Sequence, residues 1–327
     1  MLMQRALVTG GAGFIGSHLA EALLMQGHTV TAVDNLSTGR FANVEHLTGN
    51  AGFHFVYETV TNETVMDRLV SECDIIFHLA ASVGVKLIVK DPVWTIETNL
   101  QGTEMVLRLG RRYRKKVIIA STSEVYGKSA DLPFREEADR VMGPTTKSRW
   151  SYAESKAIDE FLALAYHKQF DLPVVICRFF NTVGPRQTGS YGMVIPNFVQ
   201  QALAGQPVTV YGDGSQTRCF CNVKDTVRAV ITLAAEPKAV GEIFNVGSQE
   251  EITIGELARR VVARTQSRSP IVTVPYDEAY EKGFEDMSRR VPSIEKIKTA
   301  IGWQPTISLD QTLDEVMAYF REKGQRL

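Results

Sequence analysis

Ala6-Leu7-Val8-Thr9-Gly10-Gly11-Ala12-Gly13-Phe14-Ile15-Gly16 is the stretch from which the fold is read. Ala6–Thr9 is apolar and ends β-branched, which predicts a short buried strand. Gly10, Gly13 and Gly16 are spaced G-x-x-G-x-x-G, and Gly11, Gly13 and Gly16 also satisfy G-x-G-x-x-G. Ser17–Gln26 then predicts a helix with Leu19, Leu23 and Leu24 on one side. Glycines at a strand-to-helix turn let the chain reverse tightly and let its backbone approach a pyrophosphate. The helix start, with Phe14 and Ile15, offers unpaired N–H groups and a positive dipole end to phosphate.

A second strand, Thr29–Asp34, follows the helix and ends in an acid. Asp34 lies about twenty residues past the glycines, where a carboxylate takes the ribose 2′-hydroxyl of NAD. A 2′-phosphate would be repelled there, so NAD is expected over NADP. Arg40 is near enough in sequence to keep NADP open.

The chain has 327 residues, 44% hydrophobic and 22% charged, which suits a globular protein of one or two domains with a large core. A net charge of −1 argues against a general nucleic-acid surface. The densest basic run, Arg111 to Lys116, closes an expected helix, where cations complement the dipole. Cys73, Cys177, Cys219 and Cys221 form no C-x-x-C pair, so reduced thiols and a cytoplasmic location are expected. The histidines show no H-x-x-x-H spacing, so no metal site is expected. Nor does the sequence show a signal peptide or an apolar run long enough to cross a membrane.

Strands at Phe53–Val56, Asp74–Leu79, Val117–Ser121 and Val174–Arg178 alternate with helices at Val65–Val70, Pro92–Arg112 and Ser151–Phe170. This pattern predicts an α/β fold, a doubly wound parallel (Rossmann) sheet covered on both faces. Residues 1–180 are read as the NAD-binding domain and 181–327 as mainly a smaller substrate lobe, with some segments returning to the sheet. Val208–Tyr211 and Ile243–Val246 read as isolated extended pieces. Later helices fit Ile254–Thr265, Ile294–Ile301 and Leu309–Phe320.

Tyr152 and Lys156 stand four apart on an expected helix and share a face. A nearby ammonium lowers a phenol's pKa, so the pair could take a proton from a sugar hydroxyl as hydride leaves its carbon. Tyr319 and Lys323 repeat the spacing, so context decides: only Tyr152 follows the fifth strand, with its Ser121-Thr122-Ser123-Glu124 end.

Together these residues resemble an extended short-chain dehydrogenase/reductase of the nucleotide-sugar epimerase, dehydratase and decarboxylase group. The resemblance runs through Thr9 to Gly16, Asp34-Asn35, His78-Leu79-Ala80-Ala81, Asn99, Tyr152/Lys156, Arg178 to Asn181, Gly184-Pro185-Arg186 and Gly212-Asp213-Gly214. It implies tightly held NAD, contacted also by Ser37, Thr38 and Gly39, by Thr59 and Val60, and by Leu79, Ala80, Ala81, Asn99 and Ser121. It implies that Thr122 shares the sugar O4 with Tyr152 and that Lys156 binds the nicotinamide ribose. Asn181, Arg186, Asn197 and Arg218 match diphosphate or ribose contacts, and Val210 and Tyr211 fall in the segment lining a uracil.

Within the group, Thr122-Ser123-Glu124 and Lys147-Ser148-Arg149-Trp150-Ser151-Tyr152 resemble UDP-glucuronate decarboxylases. Arg290, in Arg289-Arg290-Val291-Pro292, takes the place of the arginine beside the sugar carboxylate and the acid. Glu124 could also be a capping acid, and Arg290 a surface cation. His78, Trp150 and Trp303 read as structural. Two features depart from the pattern: Ser82–Lys86 is closer to epimerase loops, and Thr59 replaces the usual adenine-binding Asp. The expected activity is decarboxylation of UDP-glucuronate to UDP-xylose or the 4-keto pentose. A UDP-sugar 4-epimerase and a non-catalytic NAD- or sugar-nucleotide-binding regulator are the alternatives. A homodimer through Pro92–Arg112 and Ser151–Phe170 is implied by the resemblance.

Overall fold

The structure, a computed structural model, describes residues 3–83, 91–189, 192–275, 287 and 289–324. Its first half runs β1 (Arg5–Thr9), α1 (Phe14–Met25), β2 (Thr29–Asp34), β3 (Phe53–Tyr57), α2 (Glu63–Glu72) and β4 (Ile75–His78). Then come α3 (Pro92–Arg112), β5 (Lys116–Thr122), α4 (Arg149–Phe170) and β6 (Val174–Phe179). Local chemistry sets the helix starts. Asn62 and Asp91 cap α2 and α3 by accepting from the N–H groups of Val65 and Trp94, and Pro92 opens α3. α1 begins at Phe14, earlier than the expected Ser17, because Gly13 serves as its N-cap.

The second half contains β7 (Thr182–Val183), α5 (Val194–Leu203), β8 (Val208–Tyr211), β9 (Thr217–Cys219), β10 (Cys221–Asn222) and α6 (Val223–Ala235). β11 (Glu242–Val246), β12 (Glu251–Thr253), α7 (Ile254–Thr265), β13 (Ile271–Val274), α8 (Glu295–Ile301) and α9 (Leu309–Gly324) follow.

Seven strands form the main sheet in the order β11-β6-β5-β4-β1-β2-β3, every neighbour parallel. The order reverses between β1 and β4, which opens a crevice beyond their C-terminal ends. Buried side chains on the two sheet faces feed separate cores, Val8 and Phe77 to one and Leu7 and Ile76 to the other. β11 corrects the expectation that Ile243–Val246 stands alone. It pairs with β6, Asn245 opposite Arg178, because Phe244 and Val246 complete the core under α6 and α8.

A third core joins α5, α7, α9 and β8 through Phe198, Val210, Leu257 and Leu313. β8 pairs in parallel with β13, so the other expected isolated piece also has a partner. Between this lobe and the sheet crevice lies a cavity of ≈ 530 Å³. Gly84, Val85 and Lys86 of the epimerase-like loop lie outside the described residues.

Candidate active site

At one end of the cavity, the strand-to-helix turn is closed by contacts that only glycine permits. Gly10 has φ +68°, and a Cβ on Gly16 would sit 2.1 Å from the Gly10 carbonyl oxygen. No side chain caps α1, and Gly13, Phe14, Ile15 and Gly16 line the cavity. Asp34 accepts from the N–H groups of Ala12 at 3.0 Å and Leu36 at 2.8 Å. Burial pushes its carboxyl upward, and those backbone bonds oppose the shift. Asn35, Ser37, Thr38, Thr59, Val60, Leu79, Ala80, Ala81 and Ser121 also line the cavity, as does Arg40. Glu58, beside Thr59, lines it as well, an acid that the sequence reading passed over.

Two expected cofactor residues do not line it. Gly39 lies behind Asp34, where a Cβ would be 2.8 Å from both carboxylate oxygens. Asn99 is buried, accepting from Ser82 N–H at 2.8 Å and donating to Ser155 Oγ at 3.1 Å. It braces the segment after β4 against α4. Ser121 spends its hydroxyl on Glu160, which also receives both arms of Arg178.

At the centre, β5 ends in Thr122 and a short 3-10 turn, Ser123–Tyr126, while the first turns of α4 bring in Arg149, Tyr152 and Lys156. The Thr122 side chain hydrogen-bonds Tyr152 and accepts from Glu124 N–H at 3.2 Å. Burial holds the Tyr152 phenol above its ordinary value; the Glu124 and Asp159 charges add to this, and the Thr122 bond opposes it. This corrects the expectation of a phenol lowered by Lys156. The Lys156 ammonium instead donates to buried Asp159 at 2.7 Å, and burial plus two carboxylates prevails.

Glu124 sits between two guanidiniums. Arg290 Nη1 donates to its Oε1 at 2.6 Å and Arg149 Nη2 to its Oε2 at 2.8 Å. Together the three groups leave one net positive charge at the cavity. Arg290 Nε is buried and has no acceptor among the described residues. Arg149 was missing from the residues expected in the site, although the quoted Lys147–Tyr152 motif contains it.

Ser123 lines the cavity at this centre, and beyond it Asn181, Arg186, Asn197, Tyr211 and Arg218 line the cavity's lobe side. Arg186 is paired with Glu21 of α1 at 2.6 Å, and Asn181 donates to the Cys219 carbonyl at 2.9 Å. Val210 corrects the expectation that placed it beside the nucleotide. Side chains alternate along a strand, so Thr209 and Tyr211 face the cavity while Val210 enters the lobe core. His78, Trp150 and Trp303 are buried. Among the described residues no three His, Cys, Asp or Glu gather as a metal site, and no helix is long and apolar enough to cross a membrane.

The family described as GDP-mannose 4,6 dehydratase matches residues 7–316. A UDP-N-acetyl-alpha-D-glucosaminuronate decarboxylase of Bacillus cytotoxicus is 46% identical over 98% of this chain and 99% of its own length. UDP-glucuronic acid decarboxylase 1 of Danio rerio is 39% identical over 97% of this chain and 72% of its own. The solved UDP-glucuronic acid 4-epimerase of Bacillus cereus, in complex with UDP-glucuronic acid and NAD, superposes with a TM-score of 0.87. It is 29% identical, and the match covers 98% of this chain and 99% of that one.

Proposed function

We propose, for a chain that belongs to the GDP-mannose 4,6-dehydratase family of extended short-chain dehydrogenases/reductases, NAD-dependent decarboxylation of a UDP-linked hexuronate through a transient C4 ketone. UDP-glucuronate, giving UDP-xylose, is the substrate put first. The observation that carries this reading is Arg290, which lines the cavity with Nη1 on Glu124 and with an Nη2 that bonds nothing among the described residues. A sugar carboxylate supplies an acceptor for it, in the planar geometry a guanidinium binds best. Glu124 keeps Arg290 and Arg149 aligned without cancelling both charges.

The cradle fits NAD. Gly10, Gly13 and Gly16 line the cavity as bare backbone, the α1 N-terminus carries no side-chain cap, and Asp34 stands where a ribose hydroxyl is bound. When bound, NAD⁺ supplies the acceptor for the C4 hydride and, reduced, its later donor. Gly10 to Gly16, Asp34 and Lys156 are the residues proposed to hold it. Tyr152 takes the O4 proton as the C4 hydride departs, and Thr122 shares O4. The C4 ketone makes the C6 carboxylate a β-keto acid. The C5–C6 electrons pass into an enolate at O4 as CO₂ leaves. Arg290 and Arg149 hold the carboxylate for this step, and the proton that C5 then takes up is proposed to come from solvent by way of Glu124. Tyr152 returns its proton to O4 as hydride comes back to C4. Asn181, Asn197, Tyr211 and Arg218 are proposed to bind the nucleotide, with Arg186 contributing from the edge of the cavity.

The Bacillus cytotoxicus relative supports a second substrate, the uronate with a 2-acetamido group. Incubation with each UDP-uronate in turn, measuring CO₂ and identifying the sugar, tests both. UDP-galacturonate without CO₂ would replace the reading with 4-epimerisation. We also infer a homodimer, since α3 and α4 present exposed Val93, Ile158 and Phe161. Four free buried cysteines support a cytoplasmic location.

A further inference from the structure

Asp159 lies one turn after Lys156 on α4, and both side chains are shut off from solvent. A buried carboxylate is costly without a partner, and here the ammonium at 2.7 Å is that partner. A row of polar groups runs from the sheet toward the same carboxylate. Ala80 N–H donates to Thr9 Oγ1 at 3.2 Å, and the same oxygen stands 2.8 Å from His78 Nδ1. His78 Nε2 and Thr103 Oγ1 are 3.2 Å apart, and Thr103 lies beside Asp159, whose Oδ1 is buried without a hydrogen-bond partner among the described residues. Burial lowers His78 to about 3, so the ring is neutral. One end of the row is a backbone N–H and the other an ammonium. Such a row orients groups and has no outlet through which to carry protons.

We propose that Asp159 is a positioning residue that fixes Lys156 at the cavity wall and offsets its positive charge, so that bound cofactor and Tyr152 meet a paired rather than a bare cation. This rests on the reading above in one respect, that Lys156 faces the nicotinamide end of NAD. A bare cation there disfavours cationic NAD⁺ against neutral NADH. The pair removes that bias, as suits a cycle in which hydride returns to the sugar it left. Tyr152 is affected through the same carboxylate. The charged groups around it are Glu124 on the 3-10 turn, Arg290 bonded to Glu124, and Arg149, Lys156 and Asp159 on its own helix. Glu124 and Asp159 both hold the phenol up.

The test equilibrates holoenzyme with a dye couple at fixed potential and reads bound NADH against NAD⁺ by absorbance. Asp159→Asn keeps the shape and removes the charge. It should raise the NADH to NAD⁺ ratio on the order of tenfold. It should also move the acid limb of the pH–kcat profile down by about one unit, because phenolate formation loses an opposing charge. A merely structural role would lower Tm and leave both readouts in place. A folded Asp159→Asn protein with an unchanged ratio overturns the proposal. Should that variant fail to fold, Asp159→Ser removes the same charge with a smaller side chain. It should shift the ratio in the same direction, and no shift overturns the proposal equally. An active Tyr152→Phe protein would sink the base assignment alone, since the dye equilibrium does not use the phenol.

Discussion

Replacing Arg290 with alanine should separate carbon–carbon cleavage from hydride transfer. Arg290 touches Glu124 through one Nη1 donor at 2.6 Å, and its Nη2 bonds nothing among the described residues. A hydrogen bond between charged groups is worth about 1.5–3 kcal/mol. Arg149 remains on Glu124 at 2.8 Å in the variant, so the acid stays in place. The loss therefore falls on the sugar carboxylate, whose breaking bond must overlap the ketone π-system. A cost of about 2–3 kcal/mol in that step is roughly 30- to 150-fold in CO₂ release. C4 oxidation uses Thr122, Tyr152 and Lys156, none of which bonds Arg290, so NADH formation should change by less than about threefold. Stopped-flow absorbance at the NADH band, beside CO₂ and product analysis, measures both rates on one enzyme. Glu124→Gln should give the same separation with one addition. Its charge raises the Tyr152 phenol, so without it the hydride step should persist to lower pH. If either variant slows NADH formation as much as CO₂ release, the carboxylate is not held where we place it.

Other expectations follow from the same geometry. Tyr152→Phe should abolish turnover while leaving NAD and UDP-sugar binding nearly intact. Tyr319→Phe should be silent, because Tyr319 lies on α9 with Lys323 over its ring at 4.8 Å; equal losses would mean the base is elsewhere. The unaltered protein should bind NAD more tightly than NADP, and Asp34→Ala should narrow that preference; equal affinities before mutation refute the role of Asp34. Light scattering at micromolar concentration should give twice the chain mass, and a monomer mass counts against the α3–α4 interface.

What could be read from the sequence were features whose physics is local. The glycine turn, the acid ending β2 and the apolar strands depend on neighbours within one βαβ unit, so spacing alone places them. Features that depend on the third dimension were harder. Val210 and Tyr211 were both expected at the nucleotide, yet adjacent strand residues face opposite ways, and only the packing of β8 on α5 and α7 chooses which is inward. Ile243–Val246 showed no helix–strand context around it, and its place at the sheet edge depends on β6, over sixty residues earlier by the register Glu242 to Val175. Arg149 and Arg290 are 25 and 166 positions from Glu124. The family motifs pointed to Arg290 and contained Arg149, but pairing both with one carboxylate is a property of the folded chain.

Asp159 shows why burial changes the meaning of a pattern. Lysine and acid three apart on a helix usually form a solvated pair worth a few tenths of a kcal/mol. The sequence around Lys156 looks no different. In the fold, α4 turns this pair inward against Thr103 of α3, with His78 of β4 behind it. Removal of either partner then leaves an uncompensated buried charge, which is far more costly than losing a surface pair. The same inward turn that makes Lys156 available to the cavity makes its charge too strong to leave unpaired. The spacing that specifies the Tyr152–Lys156 pair therefore does not by itself specify the electrostatics under which Tyr152 works. Those depend on Glu124 at one side and Asp159 at the other, and both hold the phenol above its ordinary value.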